Sequence, residues 1–204
     1  MEIQPSNLNW RARLTPITRK IERIICHHPA GGTMQSNHNH HRNVLGWNGL
    51  GYSYWIEPNG TIYEVRGRNI GAHSGASWNG ISYGLCFEGN FETQLMTNAQ
   101  LASGIWLCAR LCRQEGLDAR AIVGHGTRFG GTSNTLCPGK NFRMAELRAG
   151  TEEALKPQPA PKPVVGKIYR VQVGAFRDRV NAVRLVQQLK DKGFSGFIWE
   201  DDLQ

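Results

Sequence analysis

Three histidines and one cysteine occupy positions from which a folded chain could gather them around a metal ion. His27 and His28 end one apolar run, His125 ends a second, and Cys137 lies on an irregular loop directly before Pro138. Imidazole nitrogen and thiolate sulfur are ligands that zinc prefers. Two histidines and one cysteine leave the fourth position of a tetrahedral zinc open, which is typical of catalytic sites. The residues alone leave open whether His27 or His28 is the first ligand.

Hydrolysis of an amide or an ester is the reaction that such a site favours. An open zinc site lowers the pKa of a bound water and polarises a carbonyl group. Attack on the carbonyl builds negative charge on its oxygen, which a nearby hydroxyl donor stabilises. Tyr52, which follows Gly51 at the start of a predicted hairpin, is the candidate donor.

Strands and helices that could position these residues are visible in the apolar pattern. Alternation with a period of two predicts strands, and apolar residues spaced three or four apart predict helices. The predicted strands cover 21–28, 81–91 and 119–125, with a hairpin over 50–66, and the predicted helices cover 98–116 and 138–149. Residues 1–20 are polar and basic and are interpreted as an N-terminal arm without a role of its own. The fold class predicted from this order is α/β, with a central mixed sheet flanked by helices.

Other clusters of polar residues have simpler interpretations. His38, His40 and His41 are two and one residues apart, whereas ligands on one helix face need a spacing of three or four, so we expect a polar helix here rather than a metal site. The loop over residues 67–80 is rich in glycine, serine and asparagine and carries His73 and Trp78. A loop of this composition can line a groove.

The composition of the chain excludes several classes of protein. The chain has 204 residues, a net charge of +8 and five cysteines without the dense spacing of a disulfide scaffold. We expect reduced thiols in a protein made in the cytoplasm, without a signal peptide and without insertion into a membrane. The positive charge indicates attraction to a polyanion such as the bacterial cell wall. The basic residues are scattered rather than clustered with stacking aromatic residues, so no nucleic-acid partner is expected.

The stretch over residues 20–149 resembles the zinc-dependent N-acetylmuramoyl-L-alanine amidases, a family shared by phage lysins, bacterial amidases and animal peptidoglycan recognition proteins. The motifs that carry the resemblance are CHHPAGG, GWNGLGYSYWIEPNGTIYE, GAHSGASWN, SYGLCFEGNF, and a strand-end GH with a later TLCPG. The resemblance implies zinc ligands at His27, His125 and Cys137. It also implies that Tyr52 stabilises the oxyanion. The loop that carries His73 and Trp78 would border the substrate groove.

Two positions depart from the pattern of many family members. Cys86 stands where some members have a glutamate that serves as general base, and Thr135 stands where some have a lysine. Glu88 lies on the same predicted strand face as Cys86 and could take the role of base, and the Thr135 hydroxyl could contribute to the transition state. Some relatives have lost the third ligand and only bind peptidoglycan, whereas this chain has all three.

The C-terminal part of the chain has a different character. Residues 150–166 are rich in proline and lysine and are expected to form an extended linker. Residues 167–204 resemble a sporulation-related (SPOR) repeat in the strings YRVQVGAF, NAVRLVQQLK and KGF, and would form a small βαβ unit that binds peptidoglycan. A full SPOR domain resembles two such units, so a second copy of the chain could complete the sheet in a homodimer.

The predicted function is therefore a peptidoglycan hydrolase. We expect zinc-dependent cleavage between N-acetylmuramic acid and L-alanine by a phage or prophage endolysin, which reaches the wall through a separate hole-forming protein. A sporulation-stage lytic amidase and a non-catalytic peptidoglycan-binding protein of the same fold are the alternatives. The stem-peptide chemotype and the target bacterium cannot be read from the residues.

Overall fold

A six-stranded mixed sheet forms the centre of the first of two units, Met1–Pro157 and Gln158–Gln204. The computed structural model describes residues 1–157 and 172–200. The strands are β1 (Ile3–Pro5), β2 (Arg23–His27), β3 (Tyr54–Ile56), β4 (Ile62–Glu64), β5 (Ser82–Phe87) and β6 (Ile122–Gly124), in the order β1-β4-β3-β5-β2-β6. Only β3 and β4 pair antiparallel, as the predicted hairpin; the other pairs are parallel.

The helices of this unit are α1 (Met34–Asn43), the short α2 (Ala76–Asn79), α3 (Asn98–Glu115) and α4 (Met144–Leu155). Leu107 and Leu111 of α3 pack with Leu147 of α4 in the larger apolar core, against one face of the sheet. A smaller core on the other face holds Trp55 and Cys86, with Met34 of α1 packed against it. The sheet therefore has helices on both sides, which confirms the predicted fold class. None of the helices in the described ranges is long and apolar enough to cross a membrane.

The N-terminal arm has a structural role that the polar composition does not reveal. Residues Ile3–Pro5 form β1, which pairs parallel with β4 at the edge of the sheet, and the amide of Ser6 donates to the carbonyl oxygen of Glu64 at 3.1 Å. Further along, Leu8 and Ile17 are buried. The expectation of an arm without a role is therefore wrong, because an edge strand held by main-chain hydrogen bonds needs no alternation of side chains.

The last helix of the first unit is displaced from its predicted position. Helix α4 spans Met144–Leu155 instead of 138–149, so the first residues of the predicted linker, 150–166, are helical. Gly150 resembles a helix stop in the sequence, but it is an internal residue of α4. A Cβ atom there would lie 2.3 Å from Ile105 Cδ1, so this glycine allows α3 and α4 to pack closely. Most of the remaining linker lies outside the described residues.

The described part of the second unit contains one helix, α5 (Arg179–Asp191), which begins with Asp178 accepting from the amide of Val180. The predicted strand over 194–199 has no β-pairing within residues 172–200. A strand needs a hydrogen-bonded neighbour, and its predicted partner at 169–175 is described only from residue 172 onwards. The helix of the predicted βαβ unit is thus present, whereas its second strand is not formed in the described part of the chain.

Two buried histidines serve the fold as neutral rings. His38 of α1 donates from Nε2 to the carbonyl oxygen of Asn9 at 3.0 Å and accepts at Nδ1 from the amide of Leu50 at 3.2 Å. His28 accepts at Nδ1 from the amide of Phe91 at 3.0 Å. Burial lowers the pKa of both rings, opposed by the Asn9 carbonyl at His38 and by the charge of Glu92 at His28. Protonation would remove both Nδ1 acceptors.

Acidification should therefore destabilise the first unit. Below the pKa of an unfolded histidine, about 6.5, the unfolded chain binds protons that the folded chain excludes, so the unfolding free energy decreases as the pH falls towards the folded pKa values. Urea unfolding of the metal-free protein at pH 7.5 and pH 5 measures the loss. His38→Gln cannot be protonated, so it should be less stable than the unchanged chain at pH 7.5 but should lose less stability at pH 5. Equal losses in both proteins would contradict the role of His38.

Candidate metal centre

Two adjacent parallel strands bring the first two candidate ligands to one edge of the sheet. Cys26 of β2 pairs with Gly124 of β6, and each strand continues into a histidine, His27 and His125. The amide of His125 donates to the carbonyl oxygen of Cys26 at 3.1 Å, which extends the ladder by one bond. Parallel strands in register direct equivalent side chains to the same face. The centroids of the two imidazole rings are 4.7 Å apart.

The third candidate ligand is held by the loop after β6. The amide of Gly126 donates to the carbonyl oxygen of Cys137 at 2.7 Å, so the loop closes directly beside the end of the strand. A Cβ atom at Gly126 would lie 2.2 Å from the carbonyl oxygen of Thr135, so only glycine fits at this crossing. Cys137 Sγ then lies 3.7 Å from His27 Nδ1. The distant cysteine is thereby brought to the histidine pair.

The geometry of His27, His125 and Cys137 fits a zinc ion. Their ligand atoms all lie within 4.8 Å of one another. Tetrahedral zinc with Zn–N near 2.0–2.1 Å and Zn–S near 2.3 Å separates its ligand atoms by about 3.3–3.6 Å. The 3.7 Å between Cys137 Sγ and His27 Nδ1 is close to this range. Only small side-chain movements would close the set around an ion.

Burial favours the protonation state that a metal ion needs at the two histidines, but it disfavours that state at the cysteine. Burial lowers the pKa of His27 well below its usual value, and the neighbouring His73 and His125 lower it further. Burial also lowers the pKa of His125. Burial raises the pKa of Cys137 to about 12, although a hydrogen bond from the amide of His28 opposes this. A metal ion therefore finds neutral imidazoles, and its binding must displace the proton of the thiol.

His28 contributes to the site through its backbone. Its amide donates to Cys137 Sγ at 3.4 Å, while its side chain accepts from the amide of Phe91. Its imidazole is therefore used by the fold, and the group of potential ligands contains His27 instead. This geometry separates the two members of the pair, which the strand periodicity could not do.

Tyr52 lies beside the candidate ligands, with its ring centroid 5.2 Å from that of His27. The preceding Gly51 approaches the opposite loop so closely that a Cβ atom there would lie 2.1 Å from the carbonyl oxygen of Ala72. Burial raises the pKa of Tyr52 well above its usual value, and a hydrogen bond with Cys86 raises it further. The phenol therefore keeps its proton at neutral pH and can act as a hydrogen-bond donor.

Cys86 occupies the centre of the sheet beneath this site. It is in register with His27 on one side and with Trp55 on the other. Burial raises the pKa of its thiol well above the usual value. At neutral pH Cys86 is therefore a neutral thiol rather than a base. Glu88, two residues further along the chain, accepts a hydrogen bond from Trp55 Nε1 to its Oε2 at 2.9 Å.

Thr135 has a structural contact close to the candidate metal centre. Its Oγ1 accepts from the amide of Cys137 at 3.2 Å. The hydroxyl thus supports the turn that presents the cysteine, as small polar side chains commonly do in loops. Its predicted contribution to the transition state remains a prediction.

In the loop over 67–80, the structure places His73 and Trp78, the two residues expected to border the substrate groove, in different surroundings. His73 is only 8% exposed, and its Nδ1 lies 3.1 Å from His27 Nε2. Trp78 packs against Arg23, whose guanidinium carbon is 5.9 Å from the ring centroid. Arg23 begins β2 and His27 ends it, so the two ends are about 13 Å apart at 3.3 Å per residue. The structure brings His73 to the candidate ligands but leaves Trp78 at the far end of the strand.

His41 is a neighbour of the site that the spacing argument passed over. Its ring lies 4.7 Å from that of Trp47 and 6.2 Å from that of Tyr52. Burial lowers its pKa to about 4, and its buried Nδ1 has no hydrogen-bond partner within the described residues. The spacing of the histidines along α1 can exclude a metal site formed within the helix, but it says nothing about contacts with other segments. The sequence feature that could have indicated a contact between His41 and Tyr52 is the short distance in the chain between this helix and the motif GWNGLGYSYW.

Comparisons with known proteins identify the family of the chain. The family model described as N-acetylmuramoyl-L-alanine amidase matches residues 17–140, and the SPOR domain model matches residues 165–201. Peptidoglycan-recognition protein SC2 of Drosophila melanogaster is 30% identical over 140 residues, which are 63% of this chain and 73% of that protein.

Two solved structures from Clostridium intestinale URNW are also similar. The N-acetylmuramoyl-L-alanine amidase LysC is 29% identical with a TM-score of 0.64, covering 73% of this chain and 96% of LysC. The endolysin N-acetylmuramoyl-L-alanine amidase LysCS is 29% identical with the same TM-score of 0.64, covering 72% and 93%. The chain belongs to the N-acetylmuramoyl-L-alanine amidase family and carries a SPOR segment after its amidase domain.

Proposed function

We propose that the protein hydrolyses the amide bond between the lactyl group of N-acetylmuramic acid and the L-alanine of the stem peptide. The observation that carries the proposal is the convergence of His27, His125 and Cys137, whose ligand atoms lie within 4.8 Å of one another. These three residues would hold zinc and leave one position open. The family match and the amidase names of the clostridial neighbours support the choice of bond.

The chemistry of hydrolysis divides between the metal and the chain. Zinc held by His27, His125 and Cys137 would supply a water of lowered pKa and would polarise the lactyl carbonyl. The hydroxyl of Tyr52 donates a hydrogen bond to the carbonyl oxygen as negative charge develops there, and it keeps its proton. Burial keeps this proton on the phenol, because it raises the pKa of Tyr52 well above its usual value. Tyr52 is thus held beside the reacting bond without being ionised.

Glu88 is the candidate for the residue that accepts the proton from water. Cys86 occupies the position of the glutamate in some family members, but its thiol is neutral and cannot accept a proton at neutral pH. Glu88 follows two residues later, and its carboxylate is oriented by the Trp55 indole N–H. Glu88 therefore remains the candidate that the sequence indicates.

The biological setting that we propose is wall lysis by a phage or prophage endolysin. The named endolysin among the structural neighbours supports this choice over a sporulation enzyme. The SPOR segment would add a second contact with the glycan, and the net charge of +8 would attract the chain to anionic wall polymers with a strength that decreases with salt. A homodimer through this segment stays a prediction, which the native mass in solution measures.

A binding protein without hydrolytic activity is the second candidate. The similarity to a peptidoglycan-recognition protein favours it, because that name describes recognition rather than cleavage. Both candidates share peptidoglycan as the ligand. They differ in whether the metal centre is loaded and whether new chain ends appear in the wall.

The composition of the metal centre can be tested with two cysteine substitutions. Cys137→Ala should abolish stoichiometric zinc, because two histidines alone bind the ion much more weakly. Cys112→Ala removes a buried thiol of α3 that packs in the larger core, so zinc content should not change. Zinc in the purified proteins is measured by atomic emission after dialysis. Equal zinc content in the two variants would refute the ligand assignment.

The reaction can be tested on purified cell wall. The zinc-loaded protein should release free L-alanine amino termini and lactyl ends, and a chelator should stop this release. Tyr52→Phe should reduce kcat by about 10²–10³-fold, the usual effect of removing one oxyanion donor, without changing zinc content.

Tyr83→Phe is the matched control for this substitution. It also removes one hydroxyl, which donates to Glu115 Oε1 at 2.8 Å on the other face of the sheet, and should retain activity. If zinc-replete protein binds the wall but releases no termini, the protein is a binding module and the hydrolase proposal fails.

A further inference from the structure

We infer that His73 is a positioning residue that, together with Ser74, holds the ring of His27 with Nδ1 directed to the metal. The inference rests on the proposed zinc site but not on the reaction. A ligand histidine has two ring nitrogens, and a hydrogen bond at one of them determines which remains available to a metal. The distances around His27 assign these roles.

The two nitrogens of His27 have different surroundings. Nδ1 lies 3.7 Å from Cys137 Sγ, within the candidate ligand set. Nε2 lies 3.1 Å from His73 Nδ1 and 3.4 Å from Ser74 Oγ. A ligating nitrogen carries no proton, so the proton of neutral His27 lies on Nε2. His27 therefore donates from Nε2 to His73.

His73 can receive this bond only in one tautomer. Its Nδ1 must be the acceptor, so its own proton lies on Nε2. Ser74 Oγ lies 3.0 Å from the same Nδ1 and 3.4 Å from His27 Nε2, so the Nε2 proton of His27 has its shorter acceptor in His73 and a longer one in Ser74. Neutral rings are required throughout.

The ring of His73 is held in a preformed slot. A Cβ atom at Gly71 would lie 2.4 Å from His73 Cδ2, and one at Gly84 would lie 2.6 Å from Cγ, so the ring lies against two glycines. The amides of His73 and Ser74 both donate to Asn79 Oδ1 at 3.0 Å. The slot is formed by backbone and side-chain contacts of the loop and of β5. A buried ring in this place supports His27 rather than contacting a large substrate.

Zinc affinity is the property that this contact should control. Loss of a hydrogen-bonding partner behind a ligand histidine costs about 10–100-fold in metal affinity. His73→Leu removes the acceptor, and we expect the zinc Kd of the full chain to rise by this factor. In His73→Asn the amide oxygen branches at the same carbon and lies near the former Nδ1, so it should restore most of the affinity. Competition with a chromogenic chelator measures all three values.

A buried histidine elsewhere in the same unit serves as the control. His38 is 2% exposed and makes two backbone hydrogen bonds, so His38→Ala should lower the unfolding free energy and leave the zinc Kd unchanged. Should His73→Leu not fold, Gly84→Ala provides the second variant. Its methyl group would displace the His73 ring and should weaken zinc binding.

The outcomes separate this inference from the proposed function. A folded His73→Leu protein with the zinc Kd of the unchanged chain, or a His73→Asn protein no better than His73→Leu, overturns the positioning role and leaves hydrolysis standing. A tenfold or larger loss of zinc affinity in His73→Leu, with recovery in His73→Asn, supports the positioning role. If the zinc-loaded chain nevertheless releases no L-alanine termini from cell wall, only the hydrolase proposal is overturned.

Discussion

The site depends on the parallel pairing of β2 with β6. These strands are about one hundred residues apart in the chain. Their ladder places His27 and His125 at the same edge, with ring centroids 4.7 Å apart. Every other component is placed relative to this edge: the loop that returns Cys137, the Tyr52 segment and the support from His73. A shift of one residue in this register would send one of the two histidines to the opposite face.

Burial provides the chemical character of the site. The same desolvation keeps His27 and His125 neutral and Tyr52 and Cys86 protonated, because it disfavours the charged form of each group. In the metal-free chain the site is a cluster of neutral donors and acceptors without a fixed charge. A divalent cation would be its first strong charge.

Local patterns in the sequence were sufficient for five of the six strands and for the candidate ligands, with His27 and His28 both left open, but they were insufficient for β1 and for contacts between distant segments. Apolar runs predict β2, β5 and β6, and the ends of two of them predict the histidines. The choice between His27 and His28 depends on the amide of Phe91, a residue 63 positions away. Likewise, a polar loop composition indicates exposure, whereas His73 is buried by Gly71 and Gly84.

His28 makes one contact through its main chain and another through its side chain, and this determines how substitutions at His28 would affect the candidate ligand Cys137. The hydrogen bond to Cys137 Sγ comes from the main chain of His28, whereas the bond from Phe91 uses its side chain. Nineteen of the twenty residue types carry that main-chain donor, and only proline lacks it. Sequence drift at this position would therefore alter the packing against Phe91 while the electrostatic environment of the sulfur stayed the same. Part of the candidate metal centre is in this way determined by the path of the backbone and is insensitive to side-chain identity.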